Sequence, residues 1–166
     1  MSEATAQPVN PRGVFDRTTV GIRTRPVSYP VEKGRIAFFC DVVGETNPIH
    51  FDEAAARKAG FATIVAPPTF PMVIDLETTN AAKRLGFTPV FDLVRCDLRY
   101  LLHGTERYEY SGHLLAGDEI TITHEVLGFE DKKGGALELC HLRASLTHAE
   151  RGEVVAIRRT LVHRLA

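Results

Sequence analysis

The sequence predicts an α+β domain, with helices first and a run of antiparallel strands after them. Three observations carry this prediction. Ile36, Phe39, Cys40 and Val43 recur at helical spacing over 31–43, as one buried face would. A longer stripe of Phe70, Val73, Ile74, Ala81 and Leu85 follows Pro68, with Glu77 and Lys83 looking outward. From Val94 onward the period changes to two, the alternation of a half-buried strand. A sheet of such strands can wrap one long apolar helix.

The elements follow in order. Residues 1–14 are polar, contain Pro8 and Pro11, and lack the apolar core of a signal peptide. They are expected to form a flexible tail ahead of one domain over 15–166. Residues 20–27 mix apolar and β-branched side chains and suit a short strand or an extended arm. Pro26 and Pro30 bracket the boundary before the first helix, over 31–43, which Gly44 ends. Asp52 is placed to cap a short helix over 53–58, with Gly60 as its stop. Pro68 and Thr69 open the long helix, since proline is tolerated where N–H groups lack partners. Gly86 ends it after Leu85.

Val94, Cys96, Leu98, Tyr100 and Leu102 alternate with Arg95, Asp97 and Arg99, which predicts a strand over 94–102 and a shorter one over 107–110. Gly117-Asp118 turns the chain into a strand over 119–129. A turn at 131–135 leads to strands over 136–148 and 153–165, which pair as a hairpin. No internal repeat or low-complexity segment interrupts this order.

Composition bounds the function. The chain has 166 residues, enough for one domain with a core. Its net charge of −1, without a basic cluster, argues against binding nucleic acid. No apolar run approaches the ~20 residues of a membrane-spanning helix. Cys40, Cys96 and Cys140 are odd in number and widely spaced, without a Cys/His zinc pattern. They read as reduced thiols in a cytoplasmic protein that needs no metal.

The chemistry concentrates in Gly44-Glu45-Thr46-Asn47-Pro48-Ile49-His50-Phe51-Asp52. An Asn-Pro turn can fold back and aim two separated side chains, Glu45 and His50, at one water molecule. Histidine exchanges protons near neutral pH. The pair therefore suits adding water to, or removing it from, an activated carbon–carbon double bond. In one assignment His50 deprotonates the water while Glu45 holds it and returns a proton to the α-carbon; the roles can also be exchanged. Asn47 either positions the loop or touches the water.

This stretch resembles the MaoC-like hydratases, whose signature reads roughly G-D-x-N-P-[LI]-H-x-D. Gly44, Asn47, Pro48, Ile49, His50 and Asp52 match it, and Glu45 stands where the family most often has Asp. The resemblance extends to 29–39, to 60–70, to His103-Gly104-Thr105-Glu106-Arg107-Tyr108-Glu109-Tyr110 and to Gly117-Asp118, covering most of the chain from about Val27 onward. It is strongest toward the MaoC dehydratase N-terminal type.

The resemblance implies a single hot-dog fold, an antiparallel sheet wrapped around a long central helix. The edge strand that such a sheet leaves open is expected to be covered by a second hot-dog subunit, in a homodimer or a heterodimer, with active sites near the interface. It also implies an acyl thioester substrate, carried on CoA or acyl carrier protein. The reaction would interconvert 2-enoyl-CoA and (R)-3-hydroxyacyl-CoA without any cofactor.

Two departures from the family pattern stand out. The extra methylene of Glu45 moves its carboxylate by about 1.5 Å. Ala66-Pro67-Pro68-Thr69 stands where active members often carry His-Gly, whose glycine N–H holds the thioester oxygen. Proline has no N–H, so Thr69 or Phe70, at the start of the long helix, is expected to substitute. His103 is a candidate for lining the pocket or touching the pantetheine arm, or else a strand-end residue. Tyr108 and Tyr110 read as sheet packing. Arg95, Arg99 and Arg107 read as CoA phosphate contacts or solvated charges. Two other readings fit the same fold: a non-catalytic acyl-binding subunit paired with an active partner, and an acyl-CoA thioesterase.

Overall fold

The computed structural model describes residues 11–165, so the first ten residues of the expected tail lie outside the described residues. Strand β1 (Val27–Pro30) leads to helices α1 (Lys33–Val43), α2 (Glu53–Lys58), α3 (Pro71–Arg84) and the short α4 (Val90–Leu93). Four long strands follow: β2 (Leu101–Tyr110), β3 (Glu119–Lys132), β4 (Leu137–His148) and β5 (Gly152–Arg164). All strand pairs are antiparallel, in the order β1-β3-β4-β5-β2, which leaves β1 and β2 at the edges. This is the hot-dog architecture, with α3 as its central helix.

Phe70 and Ile74, at the head and in the body of α3, pack with Ile36 of α1 against Ile120, Ile122, Leu146, Val155 and Ile157 of the sheet. Beyond them a second cluster joins Val90 and Val94 to Val126, Phe129, Cys140 and Leu161. Val14 and Phe15 close its end, donating backbone N–H groups to the buried Glu138 at 2.8 and 3.1 Å, while the Phe15 ring stacks on His163. Val14, assigned to the tail by sequence, is thus held against β4.

The structure corrects several expectations. Of the segment over 94–102, residues 94–100 are not strand, and only Leu101 and Leu102 belong to one, as the start of β2. Val94 ends α4, Arg95 turns the chain at φ 55°, and the Cys96 N–H reaches back to Phe91 O. The alternation of two was met by a helix cap and a turn, so Val94 is buried while Leu98 is 72% exposed. The expected strand over 107–110 is the end of the longer β2. Residues 20–27 contribute both alternatives: an arm with one bridge, Arg23 to Glu125, and then β1.

Val43 is exposed, since the buried side of α1 is narrow and runs through Ile36 and Cys40. Helix α3 starts at Pro71, because residues 67–70 form a separate turn closed by Phe70 N–H on Pro67 O at 2.9 Å. Leu85 is exposed as well. The chain reverses at Gly86 (φ 72°), Phe87 N–H bonds Ala82 O at 2.8 Å, and Phe87 takes the place against the core.

Gly104 lies where β2 slips register between His103 and Glu106. A Cβ there would sit 2.8 Å from Thr160 O and 2.9 Å from Val162 Cγ2. Gly104→Ala is therefore expected to cost about 1–3 kcal/mol of unfolding free energy in a denaturant titration. A wild-type midpoint would show that β2 adjusts freely at this point.

Candidate active site

The Glu45–His50 loop is built almost wholly from local contacts. Gly44 ends α1 in the left-handed region, at φ 73°, and Glu45 N–H caps the helix by donating to Cys40 O at 2.9 Å. The Glu45 carboxylate then folds forward, and its Oε1 accepts the N–H groups of Thr46 and Asn47, both at 2.8 Å. Asn47 and Thr46 draw the carboxyl below its ordinary value; slight burial opposes them and His50 adds a smaller attraction. Oε2 makes no hydrogen bond among the described residues. Asn47 Oδ1 accepts Ile49 N–H at 3.3 Å and caps the single 3₁₀ turn Pro48–His50. Asp52 caps α2 through Ala54 and Ala55.

His50 is 5% exposed, and its Nδ1 lies 2.6 Å from Val65 O. A carbonyl only accepts, so Nδ1 carries a proton, and in the neutral imidazole Nε2 is the nitrogen with the lone pair. Val65 is itself held from both sides: Ala66 N–H bonds Leu114 O at 2.8 Å and Ala116 N–H bonds Ile64 O at 2.9 Å. A strand-like strut thus sets the tautomer of the imidazole. Sequence reasoning missed Val65, because a backbone carbonyl carries no side-chain signal.

The two candidate oxyanion donors separate. The Phe70 N–H closes the turn onto Pro67 O and its ring is core, edge-on to Phe39. The Thr69 N–H makes no hydrogen bond among the described residues, and Thr69 is exposed. His103 is exposed on the edge strand opposite Leu161. Seven residues of extended chain, about 20 Å, separate it from Tyr110, whose hydroxyl donates to Pro68 O beside Thr69. The arginines are not gathered: Arg99 is bidentate to Asp97 and Arg107 pairs with Glu109. Among the described residues, no group of three or more His, Cys, Asp and Glu side chains is placed to hold a metal ion. No described helix is long and apolar enough to cross a membrane.

A further polar cluster lies beneath α3. Asp75, 3% exposed, accepts His124 Nε2–H at 2.8 Å and pairs with Arg159 at 2.7 Å. Arg159 also pairs with Glu106 at 2.8 Å, and Tyr108 donates its hydroxyl to the same Glu106 oxygen at 2.8 Å. The one sequence signal was an acidic residue next to Ile74 in the apolar stripe of the long helix.

The fold is of the hot-dog class, the fold of solved MaoC-like dehydratases. The family described as "FAS1-like, dehydratase domain region" matches residues 18–158, and the chain belongs to it. A UPF0336 protein of Streptomyces avermitilis is 34% identical over 143 residues, covering 85% of this chain and 89% of its own. The HadBC (3R-hydroxyacyl-ACP dehydratase) complex of Mycobacterium tuberculosis superposes with a TM-score of 0.72 at 21% identity, over 87% of this chain and 96% of its own. The (R)-hydratase of A. caviae involved in PHA biosynthesis gives 0.59 at 16%, over 86% and 94%. At these identities the two structures speak for the fold.

Proposed function

We propose that this protein is a hydro-lyase acting on acyl thioesters, interconverting 2-enoyl-CoA and (R)-3-hydroxyacyl-CoA, or the acyl carrier protein equivalents. The observation that carries this reading is the His50 Nδ1–H bond to Val65 O, which makes Nε2 the basic nitrogen of the neutral imidazole, on the same loop that holds the Glu45 carboxylate. Membership of a dehydratase family supports it.

In hydration, His50 Nε2 takes a proton from water as the oxygen bonds the β-carbon and the π pair moves onto the thioester carbonyl. The Thr69 N–H holds the developing enolate oxygen. A Glu45 carboxyl held below its ordinary value is ionised near neutral pH and carries no proton to give. We therefore assign it to orienting the water, and give the return of the proton to the α-carbon to the His50 imidazolium. Asn47 shapes the loop and does not act on substrate. Three free thiols suit a reducing, cytoplasmic setting.

A second reading, an acyl-binding subunit that completes a partner's site, is favoured by the open edge β2 and by Glu45 in place of Asp. The same edge favours a second hot-dog subunit in either case, so light scattering is expected to give at least twice the 18.4 kDa chain mass. The deciding experiment is crotonyl-CoA hydration by the purified protein alone, followed as loss of enoyl absorbance. Turnover supports the hydratase. Folded protein without turnover on short or long enoyl-CoAs supports the partner subunit. Release of free thiol instead indicates a thioesterase. Glu45→Gln keeps an acceptor for the two N–H groups but removes the charge; its rate is expected to fall about 10²-fold.

A further inference from the structure

We infer that Tyr110, on the edge strand, is a positioning residue for the oxyanion donor at Thr69; this rests on the hydratase reading above. The argument is one of peptide geometry. The turn 67–70 has Pro68 and Thr69 at its centre, and it closes with Phe70 N–H on Pro67 O at 2.9 Å. The central peptide of this turn joins the Pro68 carbonyl to the Thr69 N–H. A trans peptide is planar, with its C=O and N–H pointing in opposite directions. The Tyr110 hydroxyl donates to Pro68 O from across the fold, 42 residues away in sequence. Gripping that oxygen orients the whole plane, and the Thr69 N–H is aimed directly away from Tyr110.

The same hydrogen bond polarises the amide, which makes its N–H a stronger donor. Burial pushes the Tyr110 phenol up to about 12, so the hydroxyl keeps its proton to donate throughout the neutral range. Thr69 is not among the residues with positive φ, so the turn is of the type I kind and the peptide is not flipped. Tyr110 sets how this unflipped plane is tilted and held. Pro67 and Pro68 leave no other N–H at this corner to take over the role, and the Phe70 N–H is committed to the turn.

Tyr110→Phe removes the hydroxyl and little else. On crotonyl-CoA, kcat is expected to fall about tenfold with KM within about twofold, as for the loss of an interaction that acts in the transition state. A second readout separates positioning from general structure. Wild-type protein should bind a saturated acyl-CoA thioester more tightly than the matching S-alkyl-CoA thioether, which lacks the carbonyl; the variant should lose that preference at an unchanged melting temperature.

Unchanged kcat overturns the inference. So does a lower kcat with the thioester preference intact, which would make Tyr110 a packing residue. A wild-type protein that turns over no enoyl-CoA overturns the hydratase reading instead. The thioester preference, which needs no turnover, then decides the role of Tyr110 by itself.

Discussion

His50→Asn is expected to lower crotonyl-CoA hydration by about 10²–10⁴-fold while leaving the fold intact. The asparagine amide can still donate to Val65 O from near the place of Nδ1, so the buried carbonyl keeps its partner. What disappears is the base at Nε2. His50→Ala should be as inactive but also less stable, by about 1–3 kcal/mol, because Val65 O is then left buried without a donor. The comparison separates catalytic from structural roles. Activity surviving in the asparagine variant would remove His50 from the chemistry. Inactivity accompanied by a collapsed melting transition in both variants would make the imidazole a structural strut.

The largest expected effect on stability lies at Asp75. This carboxylate ties α3 to β3 through His124 and to β5 through Arg159, which in turn holds Glu106 on the edge strand. Asp75→Ala leaves the guanidinium buried with one carboxylate fewer. Arg159 Nε already has no partner among the described residues. Breaking a buried pair by removing one member costs about 3–5 kcal/mol, and urea unfolding of the variant should show a loss of that size. An Asp75→Leu, Arg159→Met double variant should regain much of it, since an apolar replacement of the whole pair removes the stranded charge. Equal stabilities for wild type and Asp75→Ala would mean that the cluster contributes nothing.

The pH dependence has a definite sign. Burial pushes the Asp75 carboxyl up, but His124 and Arg159 outweigh it and hold it below its ordinary value. A carboxyl depressed by folding contributes stability that is complete above its unfolded pKa of about 3.9 and is lost as pH falls through the lower folded value. The gap in stability between wild type and Asp75→Ala should therefore be full at neutral pH and shrink on acidification below about pH 4. A gap that instead widened toward acid pH would contradict this assignment.

What could be read in the sequence, and what could not, divides by the range of the contacts. Gly44, Asp52 and Gly86 were legible as punctuation because caps are set by residues two to five positions apart. The β4–β5 hairpin and the strand after Gly117-Asp118 were legible for the same reason. The strand expected over 94–102 failed over 94–100 because a period of two is also satisfied by a helix cap followed by a turn, and only packing against the second core cluster decided between them. The place of His103, exposed on the edge strand opposite Leu161, was set by the pairing of β2 with β5 and not by its neighbours in sequence.

The sequence by itself determined the candidate dyad: Glu45 is held by the N–H groups of the next two residues, and His50 follows one capped turn later. The tertiary structure alone decided which nitrogen of His50 is free, because the deciding acceptor, Val65 O, lies 15 residues away. It alone decided that Thr69 rather than Phe70 keeps an open N–H, and that Tyr110 grips the peptide carrying it. It alone gathered Asp75, His124, Arg159 and Glu106 from four elements. Local hydrogen bonds are encoded by residue type and spacing. Backbone acceptors and long-range partners leave no such trace until the sheet closes over the helix.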